Sequence, residues 1–222
     1  MSDLLRSDWA VILARGESRR MGRPKGLCRR PGDDEPFLVR IARLYGAAGW
    51  PVAVVTTPQL RRSYEPAITS GAVQRWIERA SGAGTAASAG AALHALADTA
   101  SHLWLHPVDL PDVQAASLQT MWDRSRAEPQ ALLVPRYRDR PGHPVVVPVA
   151  SFRILADPDL PGRMRDRLRE VCSTGAGDDQ RTGPIRRWVV LADQGVVTDC
   201  DDPTDLAAHT GGRPGTFPKE EP

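Results

Sequence analysis

The 222-residue sequence is poor in cysteine and has no long hydrophobic segment. Its three cysteines, Cys28, Cys172 and Cys200, lie far apart and form no Cys-x-x-Cys pair, which argues against a disulfide framework and against a zinc site. Residues Met1–Asp8 are polar and charged, and no apolar run is long enough to span a bilayer. We therefore expect a soluble, cytoplasmic protein without a targeting segment.

The sequence also lacks an excess of charge of one sign. It carries 29 basic and 27 acidic side chains, for a formal net charge of +2. A general binder of nucleic acid or of anionic membranes needs a marked basic excess, so we expect neither partner. The cations are concentrated locally instead, which favours a small anionic ligand.

The chain length suits one α/β domain with a core that needs no disulfide or metal to stabilise it. We place this domain at residues 1–210 and expect the Gly/Pro-rich tail 211–222 to be disordered. Apolar runs typical of strands occur at Trp9–Ala14, Pro51–Thr56, His102–His106, Ala131–Pro135, Pro144–Val147 and Arg187–Leu191. Helical patterns occur at Glu35–Ala48, Thr85–Ala97, Asp112–Arg126, Gly162–Val171 and Pro203–Ala208. This alternation predicts a mostly parallel sheet with helices on both faces, in three α/β/α layers.

The segment Trp9–Gly26 carries the strongest functional signal. Its apolar run Val11–Ala14 breaks into a loop that contains Gly16 and Gly22. Four cations share this loop: Arg19, Arg20, Arg23 and Lys25. Glycines let backbone N–H groups approach an anion and cations neutralise its charge, so the segment predicts a phosphate site at a strand end. The alternative is a solvated basic loop. A Walker P-loop is excluded, because neither glycine is followed by Lys-Ser or Lys-Thr.

A single carboxylate, Asp109, follows the hydrophobic strand that begins at His102 and ends at His106. If Asp109 faces the same crevice as Lys25, it would bind the Mg²⁺ that a triphosphate carries. The alternative is that Asp109 caps the next helix, but Asp112 could do so instead, and the metal interpretation is favoured. His102 and His106 lie on the same strand, but two histidines alone rarely form a metal site, so we expect both to be packing residues.

The stretch Gly82–Ala87 reads G-x-G-x-x-A, the spacing of a dinucleotide-binding loop. Arg75 and Glu78 before it are too polar for a buried first strand, and no acidic residue near Ser101 would bind a ribose. A dinucleotide-dependent oxidoreductase is therefore disfavoured.

The same stretch also fits a plain helix start. Gly84 relaxes the backbone, Thr85 can cap the helix, and Ser88 lies in its first turn. An exposed helix N-terminus could instead meet a base or a phosphate, and the sequence leaves both interpretations open.

The segment Arg136–Pro144 places three arginines and His143 beside a glycine turn, between two apolar runs. This pattern indicates a hairpin or an inserted segment, and such segments commonly bind a second substrate. Arginine suits bidentate phosphate contacts. A solvated hairpin tip is the alternative, and the sequence does not decide between them.

The acidic segment Val197–Leu206 is predicted to end a strand and then to begin a helix at Pro203. Asp202 or Asp201 would be the N-cap of that helix. Asp199 and Asp201 alternate and would share one face of the strand, so either could add to a metal site.

Together these segments resemble the MobA/MocA-like nucleotidyltransferases, which attach a nucleotide to molybdopterin, over about Trp9–His209. Leu13–Lys25 is similar to the family's triphosphate loop, L-A-x-G-x-S-x-R-M-G-x-x-K, and Val108–Pro111 to its metal-binding G-D-M-P segment. Pro141–Val145 is similar to a P-G-H-P segment, and Asp199–Leu206 parallels D-I-D-T-P-E-D-L. The resemblance implies a Rossmann-like fold of the nucleotide-diphospho-sugar transferase type.

The resemblance also implies a role for each matching residue. The residues that would bind the nucleotide are Leu13, Ala14, Arg15, Gly16, Ser18, Gly22, Lys25, Gly84 and Ser88. Those that would take part in catalysis are Lys25, Arg20 and Asp109. Mg²⁺ would be held by Asp109 together with Asp201 or Asp199. The residues that would lie near the acceptor are His143, Arg136 and Arg140.

The implied reaction is the transfer of a nucleotide from CTP or GTP to a phosphorylated acceptor, molybdopterin in this family, with release of pyrophosphate. A monomer is expected, with a molybdoenzyme or its chaperone as a partner. Two residues depart from the family pattern: Arg15 replaces a small residue near the base, and Val108 replaces the usual glycine before the metal-binding aspartate. These departures leave the choice between CTP and GTP open. They also support an alternative, a nucleotide-binding or cofactor-delivery protein without catalysis.

Overall fold

Eight strands form one sheet in the computed structural model, which describes residues 7–16, 21–68, 71–80, 84–157, 159, 161–173, 184–202 and 204–205. The strands are β1 (Ser7–Leu13), β2 (Val52–Thr56), β3 (Arg75–Glu78), β4 (Ala100–Pro107), β5 (Leu132–Tyr137), β6 (Arg140–Pro141), β7 (Val145–Pro148) and β8 (Arg186–Val190). Their order across the sheet is β3-β2-β1-β4-β7-β5-β6, and β8 pairs with β5. Strands β1 to β5 and β8 run in one direction, whereas β6 and β7 run in the opposite direction.

Helices cover both faces of this sheet. They are α1 (Phe37–Ala47), α2 (Pro58–Tyr64), α3 (Thr85–Leu96), α4 (Ala115–Ala127), α5 (Val149–Phe152) and α6 (Met164–Ser173). Successive residues of β1 point to opposite faces. Val11 packs in a core with residues of α3, α5 and α6. Ile12 packs in a second core with residues of α1 and α4. The predicted three-layer α/β/α fold with a mostly parallel sheet is therefore confirmed.

The sequence patterns do not predict two elements near the β3 edge of the sheet. Arg75–Glu78 is too polar for a buried strand, and it forms the edge strand β3, in which only Ile77 is buried. An edge strand tolerates polar residues because much of it faces solvent. Helix α2 begins at Pro58, and its N-cap Thr57 accepts a hydrogen bond from the N–H of Leu60 at 3.1 Å. A threonine before a proline is a helix-start signal that the sequence does contain.

Helix α4 begins three residues later than predicted, and Asp112 does not cap it. Its N-cap residue is Gln114, which makes no side-chain cap bond. The carboxylate of Asp193 instead contacts the start of the helix, where it accepts hydrogen bonds from the N–H of Gln114 at 2.9 Å and from the hydroxyl of Ser117 at 2.7 Å. Asp112 instead forms an ion pair with Arg30. The prediction was wrong because the first turn of this helix is held by a carboxylate from a distant segment, which local sequence patterns do not reveal.

The other predicted strands and helices agree with the observed bounds to within two residues at each end, with one exception. The predicted helix Pro203–Ala208 lies mostly outside the described residues, although Thr204 and Asp205 are helical. The predicted tail 211–222 also lies outside them. Within the described part of the chain, no helix is both long enough and apolar enough to cross a membrane.

Candidate active site

Lys25 lies where three distant segments of the chain meet. It begins a short 3₁₀ helix, Lys25–Leu27, after the loop that leaves β1. Its Nζ lies 2.9 Å from Oδ2 of Asp109 and also forms a short ion pair with Asp201. Asp109 follows β4, whose last residues pair with the end of β1. The three charges thus lie at the carboxyl ends of adjacent parallel strands, where α/β sheets bind their ligands.

The two carboxylates keep the Lys25 ammonium charged. Burial by itself would lower the pKa of Lys25, but the negative charge of Asp109 and the hydrogen bonds to Asp201 and Asp109 outweigh it, and the pKa of Lys25 is raised. A protonated lysine at this position can neutralise an anion.

Backbone hydrogen bonds fix the segments that carry these side chains. The N–H of Val108 donates to the carbonyl of Leu13 at 3.2 Å, which ties the end of β4 to the end of β1. The N–H of Cys200 donates to the carbonyl of Asp109 at 2.8 Å. Asp201 is the next residue, so this bond places its carboxylate beside that of Asp109.

The residues after Asp201 form a capped helix start. The carboxylate of Asp202 accepts hydrogen bonds from the N–H groups of Thr204 at 2.8 Å and of Asp205 at 3.0 Å, which confirms Asp202 as the N-cap. Asp205 reciprocates, because its carboxylate accepts the N–H of Asp201 at 3.0 Å and the N–H of Asp202 at 3.1 Å. This reciprocal arrangement is that of a capping box. It leaves the Asp201 carboxylate available to Lys25.

Asp199 does not follow the predicted arrangement. Residues 198–200 are irregular, so the prediction that Asp199 and Asp201 share one face of a strand is wrong. Asp199 is exposed to solvent. Among the residues that the structure describes, no group of three or more His, Cys, Asp or Glu side chains could hold a metal ion. Asp109 and Asp201 therefore meet as a pair, without Asp199.

The loop after β1 leaves the sheet with its first residues well anchored. Leu13 ends β1, and the N–H of Ala14 donates to the carbonyl of Val55 at 2.9 Å. Gly16 is exposed, and Gly22 has a φ of 67°, a left-handed conformation that favours glycine. Ser18 and Arg20, predicted to bind phosphate, lie outside the described residues.

Arg15 crosses from this loop to the start of α3. One guanidinium nitrogen donates to the hydroxyl of Ser88 at 2.8 Å, and another donates to the carbonyl of Ala80. Burial, with a smaller effect from the nearby charge of Arg79, lowers the pKa of Arg15. A large cation thus fills the space between the loop and α3.

Helix α3 begins without a side-chain cap, so the prediction that Thr85 caps it is wrong. Gly84 is the N-cap residue, and Thr85 is already helical. The hydroxyl of Thr85 accepts a hydrogen bond from the N–H of Met164, the first residue of α6, at 3.3 Å. Gly82 and Ala83 lie outside the described residues.

His143 lies on the Asp109 side of the site. Burial lowers its pKa, and a hydrogen bond with the backbone of Leu105 and the negative charge of Asp109 partly oppose that shift. Its Nδ1 is buried and has no hydrogen-bond partner among the described residues. Gly142 before it passes so close to the carbonyl oxygen of Val196 that a Cβ would lie 2.1 Å from that oxygen. Glycine is required there by close packing.

The arginines of the predicted hairpin make local contacts. The hairpin is present as β5 and β6, and Arg136 at its base pairs with Asp139 at 2.9 Å and lies over the ring of Trp188. Arg140 donates to the carbonyl of Val197 at 3.1 Å. Their contacts link the hairpin to β8 and to the segment that leads to Cys200. A role for either arginine toward an acceptor remains a prediction.

One known protein family matches most of the chain. The family described as the MobA-like NTP transferase domain matches residues 10–175, three quarters of the chain. The chain belongs to this family. The matched part of this MobA-like domain includes Lys25, Asp109 and His143, but it ends before Asp201. No curated protein matches the chain significantly.

Solved structures share the fold of this MobA-like domain. Rv0371c from Mycobacterium tuberculosis H37Rv is 23% identical, with a TM-score of 0.66, over 90% of this chain and 94% of that one. A structure of Rv0371C in complex with manganese, from the same organism, is 21% identical with a TM-score of 0.58, over 83% and 89% of the two chains. Molybdopterin-guanine dinucleotide biosynthesis protein A from Archaeoglobus fulgidus is 15% identical with a TM-score of 0.60, over 89% and 94%.

Some residues that shape the site of this MobA-like domain could not be found from the sequence. The ion pair of Arg30 with Asp112 joins segments more than eighty residues apart, and no local pattern indicates it. Asp205 is different, because the spacing of Asp202 and Asp205 is that of a capping box and could have been recognised.

Proposed function

We propose that the chain transfers a nucleoside monophosphate from a nucleoside triphosphate to a phosphorylated acceptor and releases pyrophosphate. The observation that carries this proposal is the contact of one ammonium, that of Lys25, with both Asp109 and Asp201 at the ends of β1 and β4. The glycine-containing loop after β1 lies directly before this cluster. A phosphorylated pterin such as molybdopterin is the acceptor class that the family suggests.

The two carboxylates fit a divalent cation. Both present an oxygen to the same cation, the Lys25 ammonium, and both are partly open to solvent, with 25% of the Asp109 side chain and 43% of the Asp201 side chain exposed. Carboxylate oxygens are the ligands that Mg²⁺ prefers, and it commonly binds one or two of them together with substrate phosphates. Asp109 and Asp201 would therefore hold Mg²⁺, which supplies neutralisation of phosphate charge. The manganese complex of the neighbouring Rv0371C structure supports a cation in this fold.

The remaining chemistry belongs to the residues of this chain. An oxygen of the acceptor phosphate attacks the α-phosphorus of the triphosphate, and the bond from that phosphorus to the bridging oxygen of the β-phosphate breaks, so that pyrophosphate leaves. No protein nucleophile is needed. Lys25 is charged and adjacent to both carboxylates, which suits it to neutralise charge on the phosphates. The backbone of the loop orients the triphosphate.

We assign His143 to the acceptor side. Its buried, unpartnered Nδ1 is the kind of polar atom that a substrate can satisfy, and its nearness to Asp109 puts it by the reaction centre. On the nucleoside side, Arg15 lies between the loop and α3, and we propose that the base binds beside it.

A second function is favoured by the same Arg15. Because its guanidinium is held by Ser88 and Ala80, it narrows the space that a base would occupy. A protein that binds a nucleotide without turning it over, or that delivers a cofactor, would need no open base pocket. Calorimetry that shows triphosphate binding, with no turnover over a panel of phosphorylated acceptors, would favour this alternative.

The main experiment measures pyrophosphate release from CTP, GTP, UTP and ATP with Mg²⁺ and phosphorylated acceptors. Lys25→Ala and Asp109→Ala should each abolish release while thermal unfolding shows an intact fold. Asp98→Ala is a matched control, because Asp98 is an exposed carboxylate that pairs with Arg153 on the surface. Turnover at the wild-type rate in the Lys25 or Asp109 variant would exclude the mechanism.

A further inference from the structure

We propose that His106 is a positioning residue that holds the Asp109 turn in the geometry needed to bind the divalent cation. This inference rests on the proposed function, because it assigns His106 a role only through Asp109. Neither His106 nor its partner Tyr45 carries a sequence signal for a role at the reaction centre.

The geometry of His106 fixes which ring nitrogen carries the proton. The side chain is fully buried in β4, and its Nε2 lies 2.8 Å from the carbonyl oxygen of Leu110. A carbonyl only accepts, so Nε2 must be the protonated nitrogen. The other nitrogen, Nδ1, then accepts from the hydroxyl of Tyr45 at 2.9 Å. Tyr45 is itself fully buried in α1, so the imidazole is anchored from a second element.

The bond from His106 acts on the turn that presents Asp109. The N–H of Leu110 donates to the carbonyl of Pro107 at 3.3 Å, which closes the turn around Asp109. Leu110 is buried, and its carbonyl oxygen would be left without that partner if the imidazole were removed. An unsatisfied buried carbonyl costs about 1 to 3 kcal/mol, so the turn would shift to find another donor. A shift of this turn changes the position of the Asp109 carboxylate relative to Lys25 and Asp201.

Burial keeps the His106 imidazole in one protonation state near neutral pH. Desolvation lowers the pKa of His106 to about 4, so the ring stays neutral and each nitrogen keeps its role. Residues that orient ligands in this way commonly alter metal affinity or activity by about 10- to 100-fold when they are mutated.

The chain contains a matched control on the same strand. His102 lies four residues before His106 and is also buried. Its Nδ1 lies 3.0 Å from Asp8 and its Nε2 lies 3.0 Å from the carbonyl of Pro129. These contacts lie near the start of β4, away from Asp109. Replacing His102 therefore removes a buried, hydrogen-bonded imidazole without touching the Asp109 turn.

The experiment titrates Mn²⁺ into the nucleotide-free full-length protein, detected by electron paramagnetic resonance, and measures kcat and KM for pyrophosphate release. His106→Leu should raise the Kd for Mn²⁺ about tenfold or more and lower kcat. His102→Leu should lower the Tm, because it removes a partner of the buried Asp8 carboxylate, and should leave the Kd unchanged. His106→Gln restores an amide donor toward Leu110 and should return the Kd toward the wild-type value, which a merely structural role would not require.

Each contrary result has a distinct meaning. If His106→Leu binds Mn²⁺ as the wild type does while Asp109→Asn binds it weakly, the positioning role is wrong and the proposed function stands. If His102→Leu raises the Kd as much as His106→Leu does, the effect is general strand stability and the inference fails. If Asp109→Asn binds Mn²⁺ normally, the proposed metal pair is wrong, and the role of His106 is wrong with it. If His106→Leu does not fold, the folded His106→Gln variant provides the test. If His106→Gln then binds Mn²⁺ as weakly as Asp109→Asn does, the amide has not rescued binding and the inference is overturned.

Discussion

The backbone N–H of Cys200 donates to the carbonyl oxygen of Asp109 at 2.8 Å. This one bond joins two segments that are more than ninety residues apart and sets the Asp201 carboxylate beside that of Asp109. Lys25 then bridges both carboxylates from a third segment. The candidate site therefore depends on a backbone contact that does not involve the Cys200 side chain. The charges come from Lys25, Asp109 and Asp201.

Asp201→Asn should weaken the reaction, whereas Asp202→Asn should not. Asp201 contributes a charge to the Lys25 cluster, and we expect kcat/KM to fall at least about tenfold, or about 1.4 kcal/mol of transition-state stabilisation. Asp202 is the helix N-cap, and asparagine caps as well as aspartate does. Steady-state pyrophosphate release with both variants checks this. Equal rates for the two variants would contradict the assignment of Asp201.

Gly142→Ala should destabilise the fold. Its Cβ would lie 2.1 Å from the carbonyl oxygen of Val196, and overpacking of this kind typically costs about 1 to 3 kcal/mol. Gly46→Ala is the control, because Gly46 lies in α1 and a Cβ added there would meet nothing within 4 Å, so this variant should gain up to about 1 kcal/mol. Urea unfolding measures both free energies. If Gly142→Ala leaves the free energy of unfolding unchanged, the segment that carries Val196 moves readily.

His106 should make the stability depend on pH between about 4 and 6.5. Its pKa is lowered from 6.5 to about 4 in the folded state because it is buried, so the unfolded chain binds a proton more readily in this window. The free energy of unfolding is therefore highest above pH 6.5 and falls as the pH falls, by about 2 kcal/mol between pH 7 and pH 5 from this residue alone. Below pH 4 the loss levels off.

The variant His106→Gln isolates this contribution. It has no titrating ring, so its free energy of unfolding should fall less than that of the wild type between pH 7 and pH 5. His143 also has a lowered pKa and contributes in the same direction in both proteins. Because the charges of His143 and His106 interact, the difference between the curves reports His106 together with this coupling. Parallel curves for the two proteins would show that His106 is not buried in its neutral form.

Arg15→Ala should tighten nucleotide binding and shift it toward GTP. The guanidinium fills the space between the first loop and α3, where it contacts Ser88 and Ala80. Removing it opens this space, and a purine uses more of it than a pyrimidine does, so the Kd of GTP should fall more than that of CTP. Calorimetry checks this, with Arg153→Ala as a control on a surface ion pair. Weaker binding of both nucleotides would mean that Arg15 contacts the nucleotide directly.

The sequence was sufficient for features that depend on local patterns. Alternating strands and helices determined the layered fold, because apolar periodicity reports which face of each element is buried. The break from Val11–Ala14 into a basic, glycine-containing loop was sufficient to predict a phosphate site at the end of β1, and that site remains a prediction. Asp202 could be assigned as a cap because its partners, Thr204 and Asp205, lie within three residues of it.

Only the tertiary structure decided how these local features combine. It brought Asp201 rather than Asp199 to Lys25 beside Asp109, set Asp193 rather than Asp112 against the start of α4, and held Arg15 against Ser88 and Ala80. Each of these contacts joins residues at least sixty positions apart. A one-dimensional pattern cannot specify such pairs, because they depend on which strands become neighbours and where the intervening loops end. The sequence by itself determined the chemical groups and the strand ends that carry them, and the packing of the sheet determined which of those groups meet.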